Sequence, residues 1–270
     1  TLPPQLFHTL LTGQADRLRA WVNTLRTPSD RTTFFNFTAS HDGIGVRPVE
    51  GILDEAELAA LIAHTLARGG RVSYRRNSDG SQSPYELNIT AVDAFTDPAQ
   101  PQAMQVRRFL VSQAIQLALA GVPGIYLHSL LGSHNWIEGV AQTGHNRTIN
   151  RQKLAVEAVE AALDDPGTFR AQVFAGYKRL IQERIRHKAF HPNAAQQALD
   201  LGQDGVFALL RTATDGSARL LALHNVTDRA QTVDLSAYLD GPAPDLITGE
   251  EAPVPVTLAP YQVRWLTLDG

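Results

Sequence analysis

Residues 34–45 read Phe-Phe-Asn-Phe-Thr-Ala-Ser-His-Asp-Gly-Ile-Gly, and this stretch decides the fold. The run 32–38 (TTFFNFT) is β-branched and aromatic, which suits a buried strand. A polar loop, ASHDGIGVRPVEG, follows it. His41 and Asp42 therefore sit just past the C-terminal end of a strand, where parallel α/β barrels collect their catalytic groups. Gly43 and Gly45 let the backbone turn sharply straight afterwards. A carboxylate beside an imidazole at that place is suited to a sugar ring that becomes oxocarbenium-like. The plain alternative is that Asp42 caps the turn and His41 only packs.

On the N-terminal side, Leu6, Leu10, Leu18, Trp21, Val22 and Leu25 have near-helical spacing, with Gly13 as a weak point inside. On the C-terminal side, Asp54 and Glu57 form a capping box for a helix carrying Leu58, Leu61, Ile62 and Leu66. Residues 69–84 are Gly-, Ser- and Arg-rich and read as a long loop, and 85–95 as the place of a short helix. A better helix covers 102–120, with Val106, Phe109, Leu110, Gln113 and Leu117 along one face. Gly121-Val-Pro-Gly leads into a short apolar strand over 124–130, and 132–150 reads as another polar loop. A periodic helix from about 168 to 186 runs through Phe169, Val173, Phe174, Tyr177, Leu180, Ile181 and Ile185.

After 189–193 (AFHPN) the pattern changes to short strands at 205–212, 218–225, 230–235 and 261–268, separated by turn residues. The expectation is an α/β portion over 1–188 and a small antiparallel all-β domain over 189–270. The first portion offers two barrel-type strands, whereas a (β/α)8 TIM barrel needs eight. Two parallel strands cannot close on themselves and leave open edges. The arithmetic gives the C-terminal part of a barrel rather than a whole one.

Composition narrows the chemistry. Hydrophobic residues make up 43% of the 270 and charged residues 19%, enough to bury a core. Lys and Arg number 24 against 27 Asp and Glu, a formal charge of −3, so no electrostatic case exists for nucleic acid or an anionic membrane. Zero Cys removes disulfides, thiolate metal sites and cysteine nucleophiles together. His128, His134 and His145 follow no metal-ligand spacing, so no metal is expected. There is no GxGxxG, GxxxxGK[ST] or GxSxG motif. Trp136 reads as a sugar platform or a rim aromatic, and Trp21 and Trp265 as core. The start TLPPQLFHTL shows no signal-peptide pattern and no initiator Met, and no apolar run approaches a membrane span. The expectation is a cytoplasmic piece of a longer polypeptide.

The residues 36–45 (NFTASHDGIG) resemble the last signature of the α-amylase superfamily (glycoside hydrolase family 13), at the end of barrel strand seven. The Gly-Ile-Gly ending is similar to that of sucrose phosphorylases and their relatives. Pro84-Tyr-Glu-Leu-Asn-Ile-Thr resembles their acceptor loop, Gly121-Val-Pro-Gly-Ile-Tyr the approach to strand eight, and Arg147-Thr-Ile-Asn-Arg their Arg-Asp-Ile-Asn-Arg element. Ala189-Phe-His-Pro-Asn leads, as in that family, into a C-terminal β domain. The resemblance covers essentially the whole chain. Ser83 stands where sucrose phosphorylases have Asp, and Glu86 where they have Gln; the Tyr-Glu-Leu-Asn-Ile pattern looks more like glucosylglycerate phosphorylases, whose acceptor is D-glycerate.

What this resemblance implies is a retaining glycoside phosphorylase, transferring a glucosyl group from an α-glucoside to phosphate to give α-D-glucose 1-phosphate. Asp42 matches the transition-state-stabilising aspartate. His41 matches the histidine on the glucosyl hydroxyls, and Arg147 an arginine holding that group from the opposite side. Glu86 falls in the acceptor loop, with Arg75, Arg76 or His134 able to offset its charge. A surface salt bridge is the plain alternative for Arg147, and a solvated loop carboxylate for Glu86. Inorganic phosphate is the co-substrate and no cofactor is implied. The nucleophilic Asp and the acid/base Glu lie upstream in the family, so the isolated chain is expected to be inactive without the missing N-terminal half of the barrel. Sucrose phosphorolysis and hydrolysis remain alternatives, as does a non-catalytic carbohydrate-binding or interaction protein.

Overall fold

Gly13, with φ of +69°, breaks the first apolar stripe into two helices, Leu2–Thr12 and Asp16–Val22. In the computed structural model, which describes residues 1–268, the chain divides into two compact units. One comprises residues 1–11, 37–109 and 125–175; the other comprises 12–36, 110–124 and 176–270.

In the first unit, helix Glu55–Ala67 starts on the expected capping box: Asp54 Oδ1 accepts from Glu57 N at 2.8 Å and Glu57 Oε2 from Asp54 N at 2.8 Å. Leu61 is buried, but Leu66, expected on the same face, is exposed. The expected loop over 69–84 is instead a hairpin. Strands Arg71–Arg76 and Gln82–Asn88 pair antiparallel, joined by a tight turn in which Asn77 N donates to Ser81 O at 2.8 Å. Val72 and Tyr74 on one strand and Tyr85 and Leu87 on the other alternate with polar residues, and Leu87 is fully buried opposite Val72, but the alternation is short and interrupted by the polar run 75–82. Ile44–Gly45 adds a third strand on the other side of Gln82–Asn88. The short helix expected within 85–95 occupies Ala91–Phe95. The expected loop over 132–150 holds helix Ile137–Thr143, closed by Gly144 in the left-handed conformation, and the 3-10 turn Asn146–Asn150. Helix Val156–Asp164 lies outside the expected elements although Val156, Val159 and Leu163 stand at helical spacing; none of its residues is buried.

In the second unit, Phe35–Asn36 pairs in parallel with Val122–Pro123. Phe35 is 67% exposed, contrary to the buried strand expected. Barrel strands are buried on both faces only where neighbours flank both edges, and among the described residues this one has a single ladder partner. The second strand also falls earlier than expected: it ends at Pro123, and Leu127–Leu130 is helical. A short apolar run does not by itself distinguish strand from helix.

Helices Gln102–Ala118 and Phe169–Arg186 form as predicted. Ile185 is nevertheless 75% exposed while its neighbour Arg184 is buried. Arg184 donates to the carbonyls of Leu117 and Gly121, and Arg211 to those of Ala118, His191, Ala194 and Ala195. Both guanidinium groups thus meet carbonyls at or just beyond the end of helix Gln102–Ala118, where the chain's acceptors have no intrahelical donor and the dipole is negative. Burial pushes the Arg211 guanidinium down to about 9, with Arg184 adding to the shift.

The later strands form a four-stranded antiparallel sheet in the order Val263–Thr267, Arg219–Asn225, Val206–Thr212, Ala195–Leu199. Ala195–Leu199, Ala and Gln apart from its terminal Leu, lies outside the expected strands. Gln231–Val233 pairs with Val256–Leu258 and Ala243–Pro244 with Glu251–Ala252. Val206, Leu221, Leu223, Val233, Val256, Leu258 and Leu266 meet in one apolar core. Trp265 is core as expected, while Trp21 is only half-buried.

His224 is fully buried on the other face of the four-stranded sheet, with Phe207 and Trp265. Its Nδ1 lies 3.0 Å from Phe207 O, and Trp265 Nε1 donates to its Nε2 at 3.4 Å, so the neutral tautomer with a proton on Nδ1 satisfies both. Burial pushes the imidazole down to about 4. Above pH ~6.5 both folded and unfolded chains hold it neutral; below that the unfolded chain takes the proton and the folded one does not. Stability is therefore expected to fall by on the order of 2 kcal/mol between pH ~6.5 and ~4.5 from this group alone. Urea midpoints across that range should drop less in His224→Gln than in wild type; equal drops would remove His224 as the cause. Among the described residues no helix is long and apolar enough to cross a membrane.

Candidate active site

The site begins at the turn after Phe35–Asn36. Ser40 Oγ accepts from Asp42 N at 3.1 Å, which sets the bend. Gly43 then passes so close to the hairpin that a Cβ there would lie 2.4 Å from Leu87 O and 2.8 Å from Glu86 Cγ. Only a glycine fits, and Ile44–Gly45 pairs directly with Leu87 and Glu86. Backbone pairing thus brings Asp42 beside Glu86.

Asp42 does not cap the turn with its side chain. Its Oδ1 accepts from Arg151 Nη2 at 3.0 Å, and lies 3.1 Å from Arg147 Nη1 and 3.6 Å from His41 Nε2. Among the described residues Oδ2 meets no donor. The His41 side chain is 68% exposed rather than packed. One carboxylate oxygen is anchored by cations and the other keeps its full acceptor capacity.

Glu86 is only 4% exposed, so it is no solvated loop carboxylate. Arg147 forms a two-pronged pair with it, Nε to Oε1 at 3.0 Å and Nη2 to Oε2 at 2.8 Å. Asn88 Nδ2 donates to Oε1 at 2.5 Å, Ser73 Oγ to Asn88 Oδ1 at 2.7 Å, and Asn146 Nδ2 to Ser73 Oγ at 3.3 Å. The Glu86 hydrogen bond is the main cause raising the Arg147 guanidinium above its ordinary value. Arg147 therefore offsets the charge of Glu86. Arg75 instead donates to Ser83 Oγ at 3.1 Å and faces Glu50, His134 Nδ1 lies 2.6 Å from Asp93, and Arg76 is exposed.

The four side chains singled out in the sequence, His41, Asp42, Glu86 and Arg147, thus form one connected cluster. Ser73, Gly144, His145, Asn146, Arg147 and Arg151 line a cleft of about 580 Å³ beside it. Arg151 closes the quoted Arg147-Thr-Ile-Asn-Arg element, and its spacing of four from Arg147 is the signal that marks it. Asn150 and Asn88 lie within the two quoted motifs without having been singled out, and Ser73 lies in neither. Trp136 lies over Gly139 of its own helix and does not line the cleft. Among the described residues no group of three His, Asp or Glu is placed to hold a metal ion.

Residues 203–266 match the family described as D-apionate lactonase, C-terminal immunoglobulin-like domain. The chain is 41% identical over 280 residues to a glucosylglycerate phosphorylase of Spirochaeta thermophila, covering 98% of this chain and 47% of that protein. It is also 41% identical over 267 residues to a glucosylglycerate phosphorylase of Allomeiothermus silvanus, covering 98% and 46%. Among solved structures, sucrose 6F-phosphate phosphorylase from Thermoanaerobacter thermosaccharolyticum superposes with a TM-score of 0.70 at 22% identity, covering 95% of this chain and 46% of that one. The chain spans about half the length of the curated relatives it matches. Its similarity is thus to part of the glucosylglycerate phosphorylases and, in fold, to part of a sucrose 6F-phosphate phosphorylase. Its fold is the C-terminal portion of a (β/α)8 barrel followed by a small antiparallel β domain.

Proposed function

We propose that this chain is the C-terminal part of a retaining phosphorylase that moves a glucosyl group from a glucosylglycerate-like α-glucoside to inorganic phosphate, releasing α-D-glucose 1-phosphate. The observation that carries the reading is the cluster in which one arginine, Arg147, faces both Asp42 and Glu86. The similarity to two glucosylglycerate phosphorylases supports it.

In this reading a nucleophilic Asp and an acid/base Glu come from the N-terminal half of the barrel. The nucleophile displaces the aglycone, which leaves with a proton from the acid/base; a phosphate oxygen then displaces the enzyme carboxylate. Asp42 supports the positive charge that develops on the ring in both displacements through its uncommitted Oδ2. His41, exposed at the turn, donates to ring hydroxyls. Arg147 holds the glucosyl group and Glu86 stands on the acceptor side. Because Arg147 neutralises Glu86, an anionic acceptor such as glycerate meets no net repulsion there. This favours glycerate over fructose, as do the departures at Ser83 and Glu86.

The barrel part extends over 1–188 and the β domain over 189–270, a division supported by the position of the antiparallel strands, all four of the larger sheet beginning at Ala195 or later. No cofactor or metal enters the reaction, and neither nucleic acid nor membrane is a partner. A charged sugar phosphate does not cross a bilayer unaided, which supports a cytoplasmic location. The test is release of glucose 1-phosphate by the full-length protein from glucosylglycerate, glucosylglycerol and sucrose, with and without phosphate. Release is expected only with phosphate and fastest from glucosylglycerate. Free glucose formed without phosphate would make the protein a hydrolase, and the isolated chain is expected to release neither.

A further inference from the structure

We propose that Arg151 is a positioning residue which, with Asn150, clips the turn bearing His41 and Asp42 into its working geometry before substrate arrives; the proposal rests on the role given above to Asp42. Arg151 reads main chain and side chain of adjacent residues at once. Its Nε donates to His41 O at 2.9 Å and its Nη2 to Asp42 Oδ1 at 3.0 Å. Asn150 is buried, and its Nδ2 donates to Asp42 O and to Ile89 O, each at 3.2 Å. The clip is itself tied down, because Tyr126 Oη donates to Asn150 O at 2.6 Å. Two consecutive residues thus hold both carbonyls of the turn and one oxygen of its carboxylate.

The division of labour between the two arginines follows from their partners. Arg147 is shared between Asp42 and Glu86, so either acid can draw it away from the other. Arg151 makes both of its side-chain hydrogen bonds to the turn itself and fixes it independently of the acceptor side. A planar guanidinium spans two acceptors in one plane; a lysine ammonium, a point charge on a flexible stem, does not reproduce that fork. Catalysis by electrostatic support depends on a carboxylate already in place, so a turn free to shift loses rate rather than affinity.

The test compares wild type, Arg151→Ala and Arg151→Lys in the full-length protein. Two quantities are read: kcat and KM for phosphorolysis, and amide hydrogen exchange in the peptide 38–46. Both variants are expected to lose about 10- to 100-fold in kcat with little change in KM. Exchange at 41–45 should quicken in both, and free guanidinium at sub-denaturing concentration should restore part of the kcat of Arg151→Ala. Unchanged exchange at 41–45, or a loss carried by KM alone, would overturn the proposal, the latter making Arg151 a substrate contact. A wild-type protein without phosphorolysis, in which Arg151→Ala still loosens 41–45, would remove the phosphorylase reading and leave the clip standing.

Discussion

Asp42→Asn in the full-length protein is expected to lower the rate of the chemical step by about 1,000-fold, a loss of about 4 kcal/mol of transition-state stabilisation. The substitution keeps shape and removes charge. With two guanidinium groups at Oδ1, the amide must turn its oxygen toward Arg147 and Arg151. That orientation places an NH2 where Oδ2 had been, a donor facing a ring that is gaining positive charge. The ground state feels this less than the transition state, so kcat falls more than KM changes. Fold is preserved because Oδ1 keeps an acceptor in place and Gly43 still fits against Leu87. Single-turnover formation of glucose 1-phosphate, with circular dichroism as the control, measures it. A rate within tenfold of wild type would strip Asp42 of its role.

Arg211→Met is expected to destabilise the second unit by about 3 kcal/mol. Removing the charge relieves its desolvation, which favours the variant. Against that, the carbonyls of Ala118, His191, Ala194 and Ala195 all lose their donor, and Ala118 and Ala194 belong to buried residues. Water cannot replace the guanidinium at a site that a methionine fills, so the cost of the orphaned acceptors exceeds the relief. Urea unfolding followed by tryptophan fluorescence reads the difference. Arg211→Lys, which retains the charge but not the planar fork, should fall between the two. Equal midpoints for wild type and Arg211→Met would show that the carbonyl contacts contribute nothing net.

The parts of this molecule that could be read from the sequence are those governed by local rules. The box of Asp54 and Glu57, the weak point at Gly13 (in the structure a full break) and the stripe of Val173, Tyr177 and Leu180 each depend on residues within a turn or two of one another. What escaped depended on distant partners. The hairpin Arg71–Arg76 and Gln82–Asn88 carries only a short apolar alternation, Val72 and Tyr74 against Tyr85 and Leu87, on either side of a polar turn, and its other edge is set by contact with Ile44–Gly45. Arg184 takes the buried place expected of Ile185 because helix-end carbonyls await it, something no periodicity records. At the site, His41, Asp42, Glu86 and Arg147 were recognisable from motifs. Their mutual contacts were not, and the buried pairing of Glu86 with Arg147 replaces the earlier assignment of its neutralising partner to Arg75, Arg76 or His134.

The shared arginine also bears on how such a site changes over generations. Because a single guanidinium answers to both acids, a substitution at 86 alters the field at 42, and the two positions do not vary independently. An exchange of Glu86 for a neutral residue releases Arg147 wholly to Asp42, so under the proposed function a change on the acceptor side is expected to retune the donor side as well. Coupling between positions 42 and 86 is thereby written into the geometry.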